Sequence, residues 1–221
     1  MNARDEILSR LSAVPKKSIS PRPDLPSLRE LSLTQEERIE TFSRNLRKET
    51  GVVHRVPDNP GALDRLTQIA GEEGLKTVLA SEDDVLTTLN LSEWGKINSV
   101  RVMTAAMFPS RDSFKDAVFT EADAGITGAD FAVAESGTLV LFHDPKQPRL
   151  ISLAPILHIA IVPAKRVVAV YEEAIEHIFD RRRNLPSQIS FITGPSTTAD
   201  IESTLFKGMH GPKKIHLILV G

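Results

Sequence analysis

Apolar positions along this chain fall into two textures. Between residues 51 and 124, short apolar runs alternate with amphipathic stretches. Gly51–Val56 predicts a strand, Asn59–Glu73 a helix closed by Gly74, and Lys76–Ala80 a strand. Glu82–Leu91 predicts a helix, Ser99–Met103 a strand, and Arg111–Ala117 a short helix followed by a brief strand over Val118-Phe119-Thr120. This β-α-β-α order with short links is the pattern of a parallel sheet covered by helices. After residue 124 the strand-like runs crowd together, over Ala124–Gly128, Gly137–Phe142, Ile156–Val162 and Arg166–Val168. Helical periodicity returns over Tyr171–Asp180, with Ile175 and Ile178 expected inward. Ser190-Phe191-Ile192 and Lys214–Val220 then read as strands flanking a helix at Thr198–Phe206. The expectation is an α/β domain with a mainly parallel sheet and some antiparallel additions in its second half.

The first 50 residues follow a different pattern. Ile7, Leu8 and Leu11 mark a short amphipathic helix over 5–12, and Pro15, Pro21, Pro23 and Pro26 make the next stretch a linker. Thr34-Gln35-Glu36-Glu37 spells a capping box, after which Ile39, Phe42 and Leu46 define one helical face closed by Gly51. Residues 1–50 are expected to be a helical appendage with a Pro-rich linker, and residues 51–221 the α/β domain.

Composition narrows the function. The 221 residues carry 27 Lys+Arg against 29 Asp+Glu, a formal net charge of −2. That argues against nucleic-acid binding by bulk electrostatics, which needs a basic surplus. The chain has no cysteine, which excludes disulfides, a thiol nucleophile, zinc–thiolate sites and any iron–sulfur cluster ligated by this chain. No apolar run approaches the roughly 20 residues of a membrane span. The N-terminus is too charged for a secretory signal, so a cytoplasmic location is expected.

Three segments carry candidate chemistry. In Gly125–Leu141, the glycines Gly125, Gly128 and Gly137 punctuate apolar runs, with Asp130, Glu135, Ser136 and Thr138 between or beside them. Polar groups at strand ends suit a ligand edge, and Glu135 beside Ser136-Gly137-Thr138 suits a carboxylate held at a turn. Tight strand turns shaped by glycine explain the same residues equally well. In Thr193–Glu202, a strand is followed by Gly194, Ser196, Thr197, Thr198 and Asp200 at an expected helix start. That start reads as an anion site, a plain N-cap, or both. Neither a Walker lysine nor a Gly-x-Ser-x-Gly elbow is present. In Gly208–Pro212, His210 sits between two glycines and is either a general acid–base or a loop residue. His158, inside an apolar run, reads as a hydrogen-bonded core histidine. No histidines fall at metal-ligand spacing, so no metal is expected.

Gly125–Leu141, Pro155–Pro163 with His158, Ile192–Glu202 and Gly208–Pro212 together resemble the lactate utilization protein C family, whose domain is known as the LUD domain. The opening Arg4-Asp5-Glu6-Ile7-Leu8 is similar to that family's start, while Thr197 stands where members often carry Arg or a small residue. The resemblance implies a fold like the NagB, ribose-5-phosphate isomerase and CoA-transferase group. It also implies a role in oxidising L-lactate to pyruvate beside two iron–sulfur partner proteins, with lactate or pyruvate as a candidate small anionic substrate. On that view this chain binds no cofactor itself, and the clusters belong to the partners. In related CoA-transferases the nucleophile is a Glu in a Glu-x-Gly setting, which Glu135-Ser136-Gly137 resembles. The alternative function is therefore a free-standing acyl transferase with Glu135 as nucleophile. Joined in one crevice, Glu135, Asp130, Ser196–Asp200 and His210 would suit a small hydroxy or keto acid.

Overall fold

The computed structural model describes residues 3–13, 31–179, 186, 188–199 and 205–221. Local signals set most boundaries. Helix α1 spans Ala3–Ser12 and buries nothing. Helix α2 (Gln35–Lys48) begins at the capping box, with Thr34 accepting from the Glu37 amide and the Glu37 carboxylate accepting from the Thr34 amide. Strand β1 (Val52–Val56) leads to α3 (Asn59–Glu73), which is capped by the Asp58 side chain and closed by left-handed Gly74. Then come β2 (Thr77–Ala80), α4 (Leu91–Asn98), β3 (Arg101–Met103), α5 (Arg111–Thr120) and β4 (Ala124–Gly128). The second half holds β5 (Phe131–Val133), β6 (Thr138–His143), the short α6 (Leu150–Leu153), β7 (Leu157–Pro163), β8 (Val167–Val168) and α7 (Tyr171–Phe179). It ends with β9 (Gln188–Ile192), β10 (Thr197–Ala199), β11 (Leu205–Lys207) and β12 (Lys214–Val220).

Six strands form a wholly parallel sheet in the order β1-β12-β7-β4-β2-β3. A smaller mixed sheet, β8-β5-β6-β9, lies beside it, and β10-β11 form a separate antiparallel pair. Alternation along the strands sorts the core by face. Val78, Ile126, Ile159 and Ile218 pack on one side with α3 and α4 residues such as Leu66, Ile69 and Trp94. Ala160, Val162, Leu217 and Leu219 point the other way, onto α2 and the small sheet. Leu79 and Met103 meet α5 and α6 on that second side. Helix α7 covers the far face of the small sheet through Ala174 and Ile178.

Several expectations need correction. Helix α2 does not belong to an appendage: Ile39, Phe42 and Leu46 are buried in the same cluster as the sheet, so the packed unit begins before Val52. The Pro-rich stretch lies outside the described residues. No helix runs over Glu82–Leu91. The Asp83 carboxylate accepts from the Val85 and Leu86 amides, a single 3-10 turn follows at Leu86–Thr88, and left-handed Asn90 restarts the chain as α4. Trp94 is a buried residue of that helix and donates to Thr67. Val118–Thr120 continues α5 rather than forming a strand. Ile178 faces inward, but Ile175 is exposed. Thr197–Ala199 and Leu205–Lys207 pair as strands where a helix was expected, with residues 200–204 outside the description.

Candidate active site

The site follows from where the chain goes after each strand. After β2 it turns onto the α3–α4 side and outward to β3. After β4 it crosses to the small sheet and continues toward β7. Neighbouring parallel strands whose connections diverge leave a crevice beyond their carboxyl ends, the usual ligand position in open α/β sheets. A cavity of about 740 Å³ lies at this fork. Its walls come from Glu82, Asp83, Asp84 and Thr87 after β2, Asp130 after β4, and Phe142–Gln147 at the end of β6.

Glycines of β4 permit the fork to close. A Cβ on Gly128 would stand 2.2 Å from Asp83 Oδ1, and one on Gly125 would stand 1.7 Å from the Ile151 carbonyl. These two glycines therefore serve close approach, while positive φ is confined to Gly137 among the three of this segment. The Gly128 amide donates to Asp83 Oδ2 at 2.9 Å, tying β4 to the β2 loop. The Glu82 amide donates to the Lys146 carbonyl at 2.8 Å, tying that loop to the end of β6.

Most carboxylates here are committed to the protein. Asp83 accepts from Ser81, Val85, Leu86 and Gly128. Asp84 pairs with Arg166, and Asp144 accepts from the Lys146 and Gln147 amides. Asp130 differs. One oxygen accepts from the Phe142 amide at 2.7 Å, and burial raises its carboxyl to about 6 against the pull of that bond and of Arg166. A carboxyl in a cavity that titrates near neutrality can hold or release a proton in the working pH range. His143, also on the wall, is spent structurally: Nδ1 faces the Gln147 carbonyl and Nε2 the Ser190 hydroxyl, and burial lowers its pKa.

The other candidates are dispersed. Glu135 Oε1 accepts from the Tyr171 amide at 2.9 Å and its carbonyl accepts from Asn45, so it joins the start of α7 to α2. Ser136, Thr138, Tyr171 and Thr193 form a hydroxyl cluster centred on Thr138 Oγ1. A Cβ on Gly194 would press on Glu49 at 2.9 Å. The expected anion site at a helix start loses its basis, because Thr197 and Thr198 lie in β10. The Ser196 amide donates to the Pro212 carbonyl, and the Thr197 hydroxyl donates to the Pro195 carbonyl. Asp200 lies outside the described residues. His210 is exposed in a different cavity of about 400 Å³, lined with Arg149, Ile156, Met209 and Lys213 before the start of β12. That is the amino edge of the parallel sheet, opposite Asp130. The expected single crevice therefore separates: Gly128 and Asp130 belong to the carboxyl edge and His210 to the other.

The LUD domain matches residues 39–220. This chain belongs to the LUD domain family. The matched span takes in α2 from Ile39 onward, the part that carries its buried face. Lactate utilization protein C of Shouchella clausii is 39% identical over 150 residues, covering 66% of this chain and 63% of that protein. Its counterpart in Anoxybacillus flavithermus is 36% identical over 157 residues, covering 71% and 69%. The matches thus span about two thirds of those relatives' own length. The crystal structure of a DUF162 family protein from Deinococcus radiodurans shares the fold, with a TM-score of 0.58, 21% identity and coverage of 86% of this chain and 99% of that one.

Within this LUD domain, sequence reading missed Glu82, Asp83, Asp84, His143, Lys146 and Gln147 as cavity residues. The acidic run after β2 and the Asp144-Pro145-Lys146 turn after β6 were visible signals, but only the strand order brings them to one place.

Proposed function

We propose that this chain works in lactate utilisation as a subunit without a redox centre of its own. Electrons from the oxidation of L-lactate to pyruvate pass through iron–sulfur partner proteins, and the assembly is cytoplasmic. The observation carrying this reading is the LUD domain match over residues 39–220, with relatives named lactate utilization protein C at 36–39% identity. The absence of cysteine from the 221 residues supports the division of labour, since a cluster held by thiolates needs another chain. Among the described residues, no helix is long and apolar enough to cross a membrane.

The test is genetic and biochemical. Deleting the gene should abolish growth on L-lactate as sole carbon source while sparing growth on glucose. Lactate-dependent dye reduction should be absent with this chain alone and appear with its partners. Unimpaired growth on lactate would overturn the reading.

A further inference from the structure

We propose that the cavity at the amino edge of the parallel sheet, between α5, α6 and the loop before β12, is a docking groove for an acidic amphipathic helix of another protein. The groove lies across the sheet from the Asp130 cavity, and its occupant is independent of the proposed role in lactate utilisation.

Four segments build its apolar surface. Phe119 stands on the last turn of α5, Leu153 on α6, Ile156 just before β7, and Met209 in the loop that leads into β12. Phe119, Ile156 and Met209 are 62%, 62% and 65% exposed, yet all three line one cavity of about 400 Å³. Large apolar side chains scattered singly over a surface need no partner, whereas several facing one hollow mark an interaction site. Backbone bonds hold the wall in place. The Lys213 amide donates to the Ile156 carbonyl, the Ser196 amide to the Pro212 carbonyl and the Gly208 amide to the Ser196 carbonyl, each at 2.8 Å. Met209 adds an unbranched side chain that can repack around an incoming anchor.

Charge decides the occupant. Arg149, His210 and Lys213 line the groove, and no acidic residue lines it among the described residues. Lys213 is in no ion pair among the described residues, and the Arg149 side chain donates to the neutral Gln188 at 3.3 Å. By contrast, Arg38, Arg55, Arg101, Arg166 and Lys214 each pair with a carboxylate. Gly208 fixes the lysine. It adopts φ +78°, and a Cβ there would stand 2.0 Å from Lys213 Cγ, so the Lys213 stem crosses a place that only glycine leaves open. The chain as a whole carries −2, and five carboxylates line the cavity at the opposite edge. The groove therefore holds uncompensated positive charge beside apolar surface, against the sign of the chain. Its complement is a helix with apolar anchors on one face and carboxylates flanking them. A bilayer is the less suitable surface, since these side chains enclose a hollow that receives an anchor, and the net charge opposes anionic headgroups.

The experiment is fluorescence anisotropy of the full chain with two labelled peptides of about 15 residues, long enough to form a helix. Both carry leucine at i, i+3, i+4 and i+7; one has glutamate at the flanking positions and the other lysine. The glutamate peptide should bind at least about tenfold more tightly than the lysine peptide, and its affinity should fall as salt rises. Lys213→Glu and Met209→Ser should each weaken it by about fivefold or more, with unchanged urea unfolding at Trp94. Lys213→Gln keeps the stem over Gly208, guards against misfolding of the charge reversal, and should weaken the glutamate peptide while sparing the fold. No binding of the glutamate peptide, equal binding of the lysine peptide, or unaltered affinity in the variants overturns the inference. Binding to phosphatidylserine vesicles in place of the glutamate peptide puts a membrane in the groove and overturns it. Sedimentation showing self-association of the full chain that Met209→Ser abolishes puts a second copy there and overturns it as well.

Discussion

Replacing Phe42 with alanine asks whether α2 is part of the folded unit or an attachment to it. The Phe42 ring is 0% exposed and shares a cluster with Leu46, Ala160, Val162, Leu217 and Leu219. Truncating a buried Phe removes its transfer free energy and leaves a cavity, together about 3–5 kcal/mol. Ordinary domains have about 5–15 kcal/mol in total, so the variant should fold with a sharply lowered midpoint. Trp94 makes the assay decisive. It is the single tryptophan, and it lies on the opposite side of the parallel sheet from Phe42. Urea unfolding followed by Trp94 fluorescence therefore reports the far layer. If α2 is integral, the fluorescence transition shifts by the full amount with an unchanged slope. If α2 were separable, helical signal would be lost early and the Trp94 transition would stay in place. A shift of less than about 1 kcal/mol at Trp94 would refute the argument, because a large ring in a shared core cannot be lost that cheaply.

Removing residues 1–13 should change stability by no more than about 0.5 kcal/mol, since α1 buries no residue; urea midpoints check this. Gly128→Ala should destabilise by about 1–3 kcal/mol, because the new methyl would meet Asp83 Oδ1; scanning calorimetry reads it. His54 is held at about 4 by burial first and then by His216, Arg65 and Arg47, and fully buried His158 is also at about 4. Unfolded imidazoles take up protons near 6.5 and these do not until about 4. Stability should therefore be complete above pH 6.5 and fall as the pH drops toward 4, as thermal midpoints across that range will show. Asp130 has the opposite sign. Its carboxyl ionises at about 6 instead of 3.8, so ionisation costs the folded state more than the unfolded one. Asp130→Asn should raise the melting midpoint above pH 6 and leave it unchanged at pH 3.5, and an equal shift at both pH values would contradict this.

Sequence reading succeeded where a few adjacent residues decide the outcome. Thr34 and Glu37 satisfy each other's backbone across three positions, and Asp58 and Gly74 bracket α3 in the same local way. The apolar run Ala124–Gly128 is a strand with those bounds because all five residues are buried on both faces of a parallel sheet. The family likeness was legible for a related reason: Gly125 and Gly128 stand where Ile151 and Asp83 press against the backbone, so the motif records contacts the fold requires.

Tertiary structure decided what lies between competing local options. Thr197-Thr198-Ala199 can cap a helix or run as a strand, and pairing with Leu205–Lys207 selected the strand, which removed the expected anion site. Val85, Leu86 and Leu89 fit one helical face, but Asp83 captures the Val85 and Leu86 amides and Asn90 turns left-handed, so the helix starts later. The functional edge lay furthest from local pattern. Asp130 could be read as a polar residue after a strand, whereas its meeting with Glu82–Asp84 and Lys146 depends on β2 lying beside β4 and on their connections diverging. Strand order is a property of long-range pairing. Hydrophobic periodicity tells each strand which faces to bury and carries no record of which neighbour covers them.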